Sequence, residues 1–406
     1  MHPMNVLVVN SGSSSVKFQL LQMPREEVLM KCTAVKNENN ETYLNFNTPA
    51  RNVSFAMKEF SFSAICQVLI DELVRPESEC LSSVSEVDAI GHRLIHGGEK
   101  GEGCEEITEE LITWMESLVS LAPLHYPANL EGIHTLRKLM PHAIHAGVFD
   151  TAFHSSLPPR AYLYGIPTYW HQQHRIRRYG FHGTSHRYAS RTACQLAGLT
   201  DEKSRIVSCH LGNGASVAAV KDGKSIDTSM GLTPVEGLIM GSRCGDIDAG
   251  ILTHLMETQR FSVSDLQHLI NKESGLLGLS GVSSDYRVVE EAAMKGNNRA
   301  QTALDVYHYR VKKYIGAYAA ALEGIDVLVF TGGIGENSSI ARAEICKGMQ
   351  FLNIELDSKK NEKPGAKEAI ISITGSPVTV VVVTAHEELE IARQVASLAA
   401  SVKTMG

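Results

Sequence analysis

The sequence has no long apolar run: Val378–Val383, among its longest, covers six residues, where a membrane-spanning helix needs about 20. It has no low-complexity tract, and with 43% hydrophobic and 20% charged residues it has no shortage of core-forming side chains, which excludes a disordered chain. The eight cysteines include no CxxC pair and no histidine-spaced cluster, so free thiols in a reducing compartment are expected rather than disulfides or a zinc site. Met1–Val9 lacks a basic leader and a cleavage site, and the expectation is a cytoplasmic protein. Acid is missing locally: between Thr151 and Thr200 there is no Asp or Glu, while Arg160, Arg175, Arg177, Arg178, Arg187 and Arg191 stand there with five histidines. In a chain of net charge −7, wholesale nucleic-acid binding is excluded, and a window carrying only basic charge points to a local anion site or to a solvated basic face.

At 406 residues the chain exceeds one ordinary core, and two domains are expected. It opens with a β-type run, Val6–Val9, the turn Asn10-Ser-Gly-Ser-Ser-Ser15 and a second run, Val16–Leu20. The same grammar returns as Ile206–Cys209, His210-Leu-Gly-Asn-Gly-Ala215 and Ser216–Val220, with Gly12 and Gly212 in equivalent places. Two related domains, each opening with an antiparallel hairpin, follow. Helical periodicity marks Glu109–Leu121, Asn129–Met140, Arg187–Leu196, Val263–Asn271, Val288–Leu322 with breaks, and Glu387–Val402. Strand-like runs at Val87–Ile90, Ala146–Phe149, Val327–Phe330 and Val378–Val383 alternate with them, so the class is α/β with mixed sheets and a domain boundary near Asp150.

Gly/Ser turns after strands let backbone N–H groups approach a phosphate. The two hairpin loops qualify, with Lys17 within reach of the first, and Thr331-Gly-Gly-Ile-Gly-Glu-Asn337 adds a strand-loop-helix nucleotide contact. Other phosphate motifs fail on spacing. Gly223-Lys224-Ser225 has Ala218 where a Walker A loop needs glycine, and reads as an Asp222-Gly223 hairpin turn. Gly333-Ile-Gly335 lacks the third glycine of the dinucleotide fingerprint. Arg93, in Gly91–Glu99, is placed to grip a carboxylate or phosphate at two points, or to make a structural salt bridge. His182 and His186 are four apart, but Gly183 occupies the place of the zincin glutamate. Arg243 lies in the glycine-flanked turn Gly241–Asp246, and Asp150 follows a strand as a catalytic, metal-ordering or capping carboxylate.

These segments, with Ala122-Pro-Leu-His125, Phe149–His154, Arg178–His186 and Ser283-Ser-Asp-Tyr-Arg287, closely resemble the acetate and propionate kinase family of the sugar kinase, actin and chaperone ATPase superfamily, from Val6 to about Val395. The resemblance implies an α/β protein of two actin-like (ribonuclease H-like) domains with a cleft between them, at 1–150 and 151–385, residues 386–406 packing back on the first. It implies reversible transfer of the ATP γ-phosphoryl group to a short fatty acid, acetate first and propionate second, with Mg²⁺ (or Mn²⁺) and commonly as a homodimer, without nucleic acid or membrane.

Carried over by position, Asn10 and Glu387 help hold the metal; Lys17, His210, Leu211, Gly212, Asn213 and Gly214 attend the phosphates. Asp285, Tyr286, Arg287, Gly333, Ile334, Gly335, Glu336 and Asn337 hold the nucleotide. Arg93 binds the acyl carboxylate, Ile95, Leu124, Phe181 and Pro234 wall its alkyl end, His182 and Arg243 stabilise the transition state, and Asp150 is the essential carboxylate. The chain departs from the family pattern at Ala385-His386 beside Glu387, at Tyr126 and at Ser242. A carboxylic acid with a pKa near 4.3 is already an anion at neutral pH and needs no general base. Asp150 is therefore expected to orient an arginine or a metal-bound water. Two rivals outside this class are a nucleotide-switched assembly protein on the same fold and a polyanion-binding module.

Overall fold

The computed structural model describes residues 3–12, 15–37, 41–58, 60–101, 103–119, 126–363 and 368–405. The chain divides into two compact units: Met1–Ala152 with His386–Gly406, and Phe153–Ala385. Among the described residues no helix is long and apolar enough to cross a membrane.

The first unit holds a sheet of eight strands, β1 (Met4–Ser11), β2 (Ser15–Met23), β3 (Glu27–Lys36), β4 (Thr42–Asn47), β5 (Asn52–Met57), β6 (Val87–Leu94), β7 (Cys104–Glu106) and β8 (Ile144–Phe149), in the order β5-β4-β3-β2-β1-β6-β8-β7. The second holds β9 (Arg205–Leu211), β10 (Ala215–Lys221), β11 (Lys224–Thr228), β12 (Val327–Thr331), β13 (Ala369–Ile370) and β14 (Thr379–Val382), in the order β11-β10-β9-β12-β14-β13. Each opens with an antiparallel hairpin, β1/β2 or β9/β10. Each then adds two parallel strands on the other side of its first strand, β6 and β8 or β12 and β14. The third-second-first-fourth-fifth order of the ribonuclease H-like fold thus occurs twice. Gly12 follows β1 as Gly212 follows β9. Asp222 and Gly223, both at positive φ, join β10 to β11 as the expected two-residue turn.

In β1 the side chains alternate between two cores, as a strand period of two requires. Leu7 and Val9 pack with Phe62, Ile65, Leu69 and Leu136, from the helices Phe62–Leu73 and Tyr126–Leu139. Val6 and Val8 pack with Ile391, Ala392, Val395 and Ala399, one stripe of the helix Glu387–Met405. That helix lies close: a Cβ on Gly91 of β6 would stand 2.8 Å from methyls of Ile391 and of Val395, so only glycine fits there.

The second sheet is touched by the helices Gly183–Leu196 and Asn298–Ala321, and β12 is buried along its whole length. The expected helix Val288–Leu322 breaks at Gly296 (φ 89°), giving Tyr286–Met294 and Asn298–Ala321. The expected Val263–Asn271 helix is α-helical to His268 and continues as a π turn, Leu269–Glu273. The expected Glu109–Leu121 helix runs Glu109–Ser117, and its last two expected residues lie outside the described ones.

Candidate functional site

Adjacent parallel strands of the first unit place Arg93, near the end of β6, beside Asp150, just past β8. Arg93 Nε donates to Asp150 Oδ1 at 2.9 Å and Nη2 to Oδ2 at 2.7 Å. The two-point grip anticipated for this arginine is thus made inside the protein. Asp150 is buried, and its own N–H donates to Leu94 O at 2.8 Å. Glu387, opening the C-terminal helix, sets Oε2 3.3 Å from Arg93 Nη1. Burial opposes the Arg93 charge, but the attraction of Asp150 and Glu387, the Asp150 hydrogen bond and the field of Glu388 outweigh it and hold the guanidinium protonated beyond the ordinary range.

Asn129 is a member of this site that the sequence did not announce. It is buried in the helix Tyr126–Leu139, donates through Nδ2 to Ser11 O and Oγ at 3.1 and 3.2 Å, and accepts from Ile95 N–H at 3.4 Å. It thereby ties the end of β1 to the end of β6. Asn10 and Lys17 face each other in the β1/β2 register, Asn10 half-buried and Lys17 exposed. Ile95 is partly buried against a core of Leu94, Tyr126, Ile133 and Phe149. Tyr126, a departure from the family pattern, is fully buried in that core and its hydroxyl donates to His96 O. Leu124, with Ala122–His125, lies outside the described residues.

In the second unit four loops meet. His182 caps the helix Gly183–Leu196 in a left-handed conformation, φ 57°, a backbone state that a non-glycine residue adopts at a cost. Its Nδ1 is 2.9 Å from Ser216 Oγ, and its ring lies against that of His210, centroids 4.4 Å apart and planes tilted by 36°. A methyl built on Gly214 would lie 3.4 Å from His182 Nε2 and 3.7 Å from Arg243 Nη1, so the two expected transition-state groups converge on the β9–β10 turn. A methyl on Gly212 would lie 4.0 Å from Gly333 N, which brings in the third glycine loop. Gly241 N–H donates to Asn213 O at 3.0 Å and fixes the Arg243 turn against the hairpin. Ser242, the other departure beside it, donates to Asn271 O at 2.9 Å.

Arg243 is half-buried, and its guanidinium donates to Pro234 O at 3.3 Å. Among the described residues no carboxylate pairs with it, and burial alone lowers its pKa below the usual arginine value. A guanidinium kept out of water without a counter-charge is costly, and an incoming anion relieves that cost. Phe181 is buried and its carbonyl lies 3.0 Å from His154 Nε2.

The nucleotide candidates divide. Asp285 caps the helix Tyr286–Met294 and pairs with the exposed Arg287 at 2.7 Å. The Tyr286 side chain instead turns inward, its hydroxyl 2.8 Å from His308 Nε2. Ile334 lies within the short helix Gly332–Asn337, whose end is held from inside. Buried Arg342 donates to Gly335 O at 2.8 Å and Glu336 O at 2.9 Å, while Glu336 accepts from Ala385 N–H and Asn337 donates to Gly333 O.

The acetokinase family model matches residues 5–393. The chain belongs to the acetokinase family. It is 49% identical to the acetate kinase of Porphyromonas gingivalis over 96% of this chain and 98% of that protein. The crystal structure of Porphyromonas gingivalis acetate kinase superposes with a TM-score of 0.92 at 47% identity, covering 97% of this chain and 99% of that one. A propionate kinase from Francisella tularensis superposes with a TM-score of 0.90 at 36% identity over 97% of this chain and 99% of that one. This acetokinase's basic window is largely structural at Arg178, which donates to Thr228, Ser229 and Met230 carbonyls at 2.9, 3.1 and 3.1 Å and to Glu236 at 2.6 Å.

Proposed function

We propose that the chain is an ATP-dependent acetate kinase, catalysing reversible transfer of the γ-phosphoryl group to acetate to give acetyl phosphate and ADP. The observation that carries this is the meeting of His182 and Arg243 at Gly214, with Arg243 lacking a carboxylate partner among the described residues. Phosphoryl transfer asks a protein mainly to align reactants and neutralise charge spread over the equatorial oxygens. One acetate oxygen bonds to phosphorus as the bond from phosphorus to the ADP oxygen breaks. Arg243 and His182 Nε2 meet the equatorial oxygens, and backbone N–H groups of 213–214 and 333–335 take the phosphates of the nucleotide held beside Asp285 and Arg287, the Gly212 N–H being held inside the turn by Gly214 O at 3.1 Å.

Asp150 occupies Nε and one side of Nη2, so Arg93 receives the acetate carboxylate on its outer Nη1–Nη2 edge as Glu387, 3.3 Å from Nη1 in this structure, turns to the metal. By the family resemblance, the residues assigned to the methyl are Ile95, Leu124, Phe181 and Pro234. No proton is removed from the nucleophile, so Asp150 serves by fixing the plane of Arg93. The charge balance favours Mg²⁺: Asp150, Glu387 and Glu388 all act on a single guanidinium, which leaves net negative charge, and the Glu387 carboxylate with the Asn10 amide offers hard oxygens to a cation that keeps several waters. Glu387 and Asn10 would hold it, and when bound it shields phosphate charge from the incoming carboxylate.

The protein acts as a cytoplasmic homodimer in this reading. No disulfide joins any of the eight cysteines. The helix Ala249–Gln259 buries no residue and shows Ile251 and Met256 at 43% and 40% exposure, an apolar face suited to a second copy. Incubation with ATP, Mg²⁺ and acetate, propionate or no acid, followed by hydroxylamine trapping, tests the activity. Acyl hydroxamate should form fastest with acetate; ATP hydrolysis indifferent to the acid would instead indicate a nucleotide-switched assembly protein, for which nothing in the site speaks.

A further inference from the structure

Behind His182 runs a line of buried hydrogen-bonding groups that the reaction above does not use. His182 Nδ1 is 2.9 Å from Ser216 Oγ, and the same oxygen is 2.8 Å from His186 Nε2. His186 Nδ1 is in turn 3.0 Å from Ser208 Oγ. Ser208, Ser216 and His186 have no solvent exposure. Four side chains from one helix and two adjacent strands thus form a single file.

A hydroxyl has one proton to give and a neutral imidazole carries one N–H, so the file has two proton orders. In the first, Ser208 donates to His186 Nδ1, His186 Nε2–H donates to Ser216, and Ser216 donates to His182 Nδ1. In the second every bond is reversed, and the Ser208 proton has nowhere to go: His186 is its only hydrogen-bond partner among the described residues, and a buried unsatisfied hydroxyl costs about 1–3 kcal/mol. His186 stays neutral in either case, because burial, then His154 and His210, push its pKa well below the usual histidine value.

We infer that Ser208, His186 and Ser216 form a positioning relay whose fixed polarity makes His182 Nδ1 an acceptor and leaves its single proton on Nε2, facing Gly214 and Arg243. A doubly protonated His182 would turn its Nδ1–H against the Ser216 hydroxyl and force the whole file to reverse. The groups around it agree: Arg243 approaches across Gly214, and the His210 ring lies tilted against it with centroids 4.4 Å apart. His182 therefore meets the transferring phosphoryl group as a neutral N–H donor rather than as a cation. The inference rests on the reading of His182 as a phosphoryl-side donor and adds which residues set its tautomer.

The test is nitrogen NMR on the full chain with ¹⁵N-labelled histidine at pH 7, the His182 signals assigned by their loss in His182→Gln. Wild type should show Nε2 protonated and Nδ1 bare. Ser216→Ala should abolish that preference and lower kcat on the order of 10- to 100-fold with little change in KM for ATP, as losing an orienting partner does elsewhere. Ser208→Ala, a milder change at the far end, should give a mixture of the two His182 tautomers and a smaller fall in kcat. A wild-type His182 protonated on Nδ1, or on both nitrogens, would overturn the relay, as would a Ser216→Ala enzyme retaining the Nε2–H form and full kcat. A His182→Gln enzyme with undiminished kcat would remove His182 from the chemistry while leaving the tautomer result to stand or fall separately.

Discussion

Arg178 Nη2 and Glu236 Oε1 are 2.6 Å apart, joining the segment before the helix Gly183–Leu196 to the loop that carries Pro234. Glu236 also accepts from the Tyr164 hydroxyl. Arg178→Ala would strand the carboxylate and three backbone carbonyls together. Removing one partner of a buried pair costs about 3–5 kcal/mol, and the residual solvent access of Glu236 brings the expected loss to about 2–3 kcal/mol. Thermal unfolding of Arg178→Ala should show it, with Glu236→Gln losing less.

Arg243→Ala should reduce kcat on the order of 100-fold or more while changing KM for ATP little, because its contact strengthens only as charge spreads in transfer. Steady-state kinetics in both substrates separates the two parameters. An unchanged kcat would take Arg243 out of the reaction.

Asp150→Asn should lower kcat, raise KM for acetate through a loosened Arg93, and weaken the dependence of rate on magnesium. The pH profile of the wild type should show no basic limb near neutrality assignable to Asp150, since the nucleophile arrives as an anion. Finding such a limb, lost in Asp150→Asn with metal affinity intact, would make Asp150 a general base instead.

Ile95→Ala tests the acyl pocket. One methylene is worth about 0.8 kcal/mol, roughly fourfold, with overlap adding about 1–3 kcal/mol in a rigid wall. The wild type should prefer acetate to propionate in kcat/KM, and the variant should lose or reverse that preference at constant KM for ATP. Ile95 also leans on the core of Leu94 and Phe149, so its loss should lower thermal stability whatever happens to specificity, and an unchanged acid ratio would leave it a core residue alone.

Acid should unfold the protein through its histidines. Burial brings the imidazoles of His96, His154 and His308 each down to about 4. Between pH 6.5 and 4 the unfolded chain binds more protons than the folded one at these sites, so stability is present above pH 6.5 and falls as pH drops, by up to about 1.4 kcal/mol per pH unit per group. The unfolding midpoint measured across that range should fall, and His308→Gln, at the Tyr286 hydroxyl, should reduce the slope.

Much of the architecture was legible because glycine and the strand period punctuate it: the paired hairpins, the Asp222-Gly223 turn and the helix beginning at Glu387 all follow from local chemistry. The strands between Glu27 and Met57 were not, and β4 shows why: Thr42 is buried while Tyr43 is exposed, so polarity hides the alternation. Composition likewise cannot tell a free guanidinium from one paired 58 positions along the chain, as Arg178 is with Glu236. Ser216 and Asn129 escaped because their roles depend on which helix lies across them. The Arg93–Asp150 pairing was half visible, since both residues end strands, but only the parallel register makes them neighbours.

The helix that begins at Glu387 belongs to the first unit although Phe153–Ala385 intervenes. During synthesis the strand β1 and Arg93 emerge early, with Val6, Val8 and Gly91 waiting for Ile391 and Val395 to cover them. The ribosome must therefore deliver the whole second unit before the first can finish folding, and Glu387, the second carboxylate beside Arg93 after Asp150, arrives with the segment that seals it. A nascent or prematurely terminated chain has an open hydrophobic sheet and no complete site, so quality control and catalytic competence are decided by the same late-arriving turn of helix.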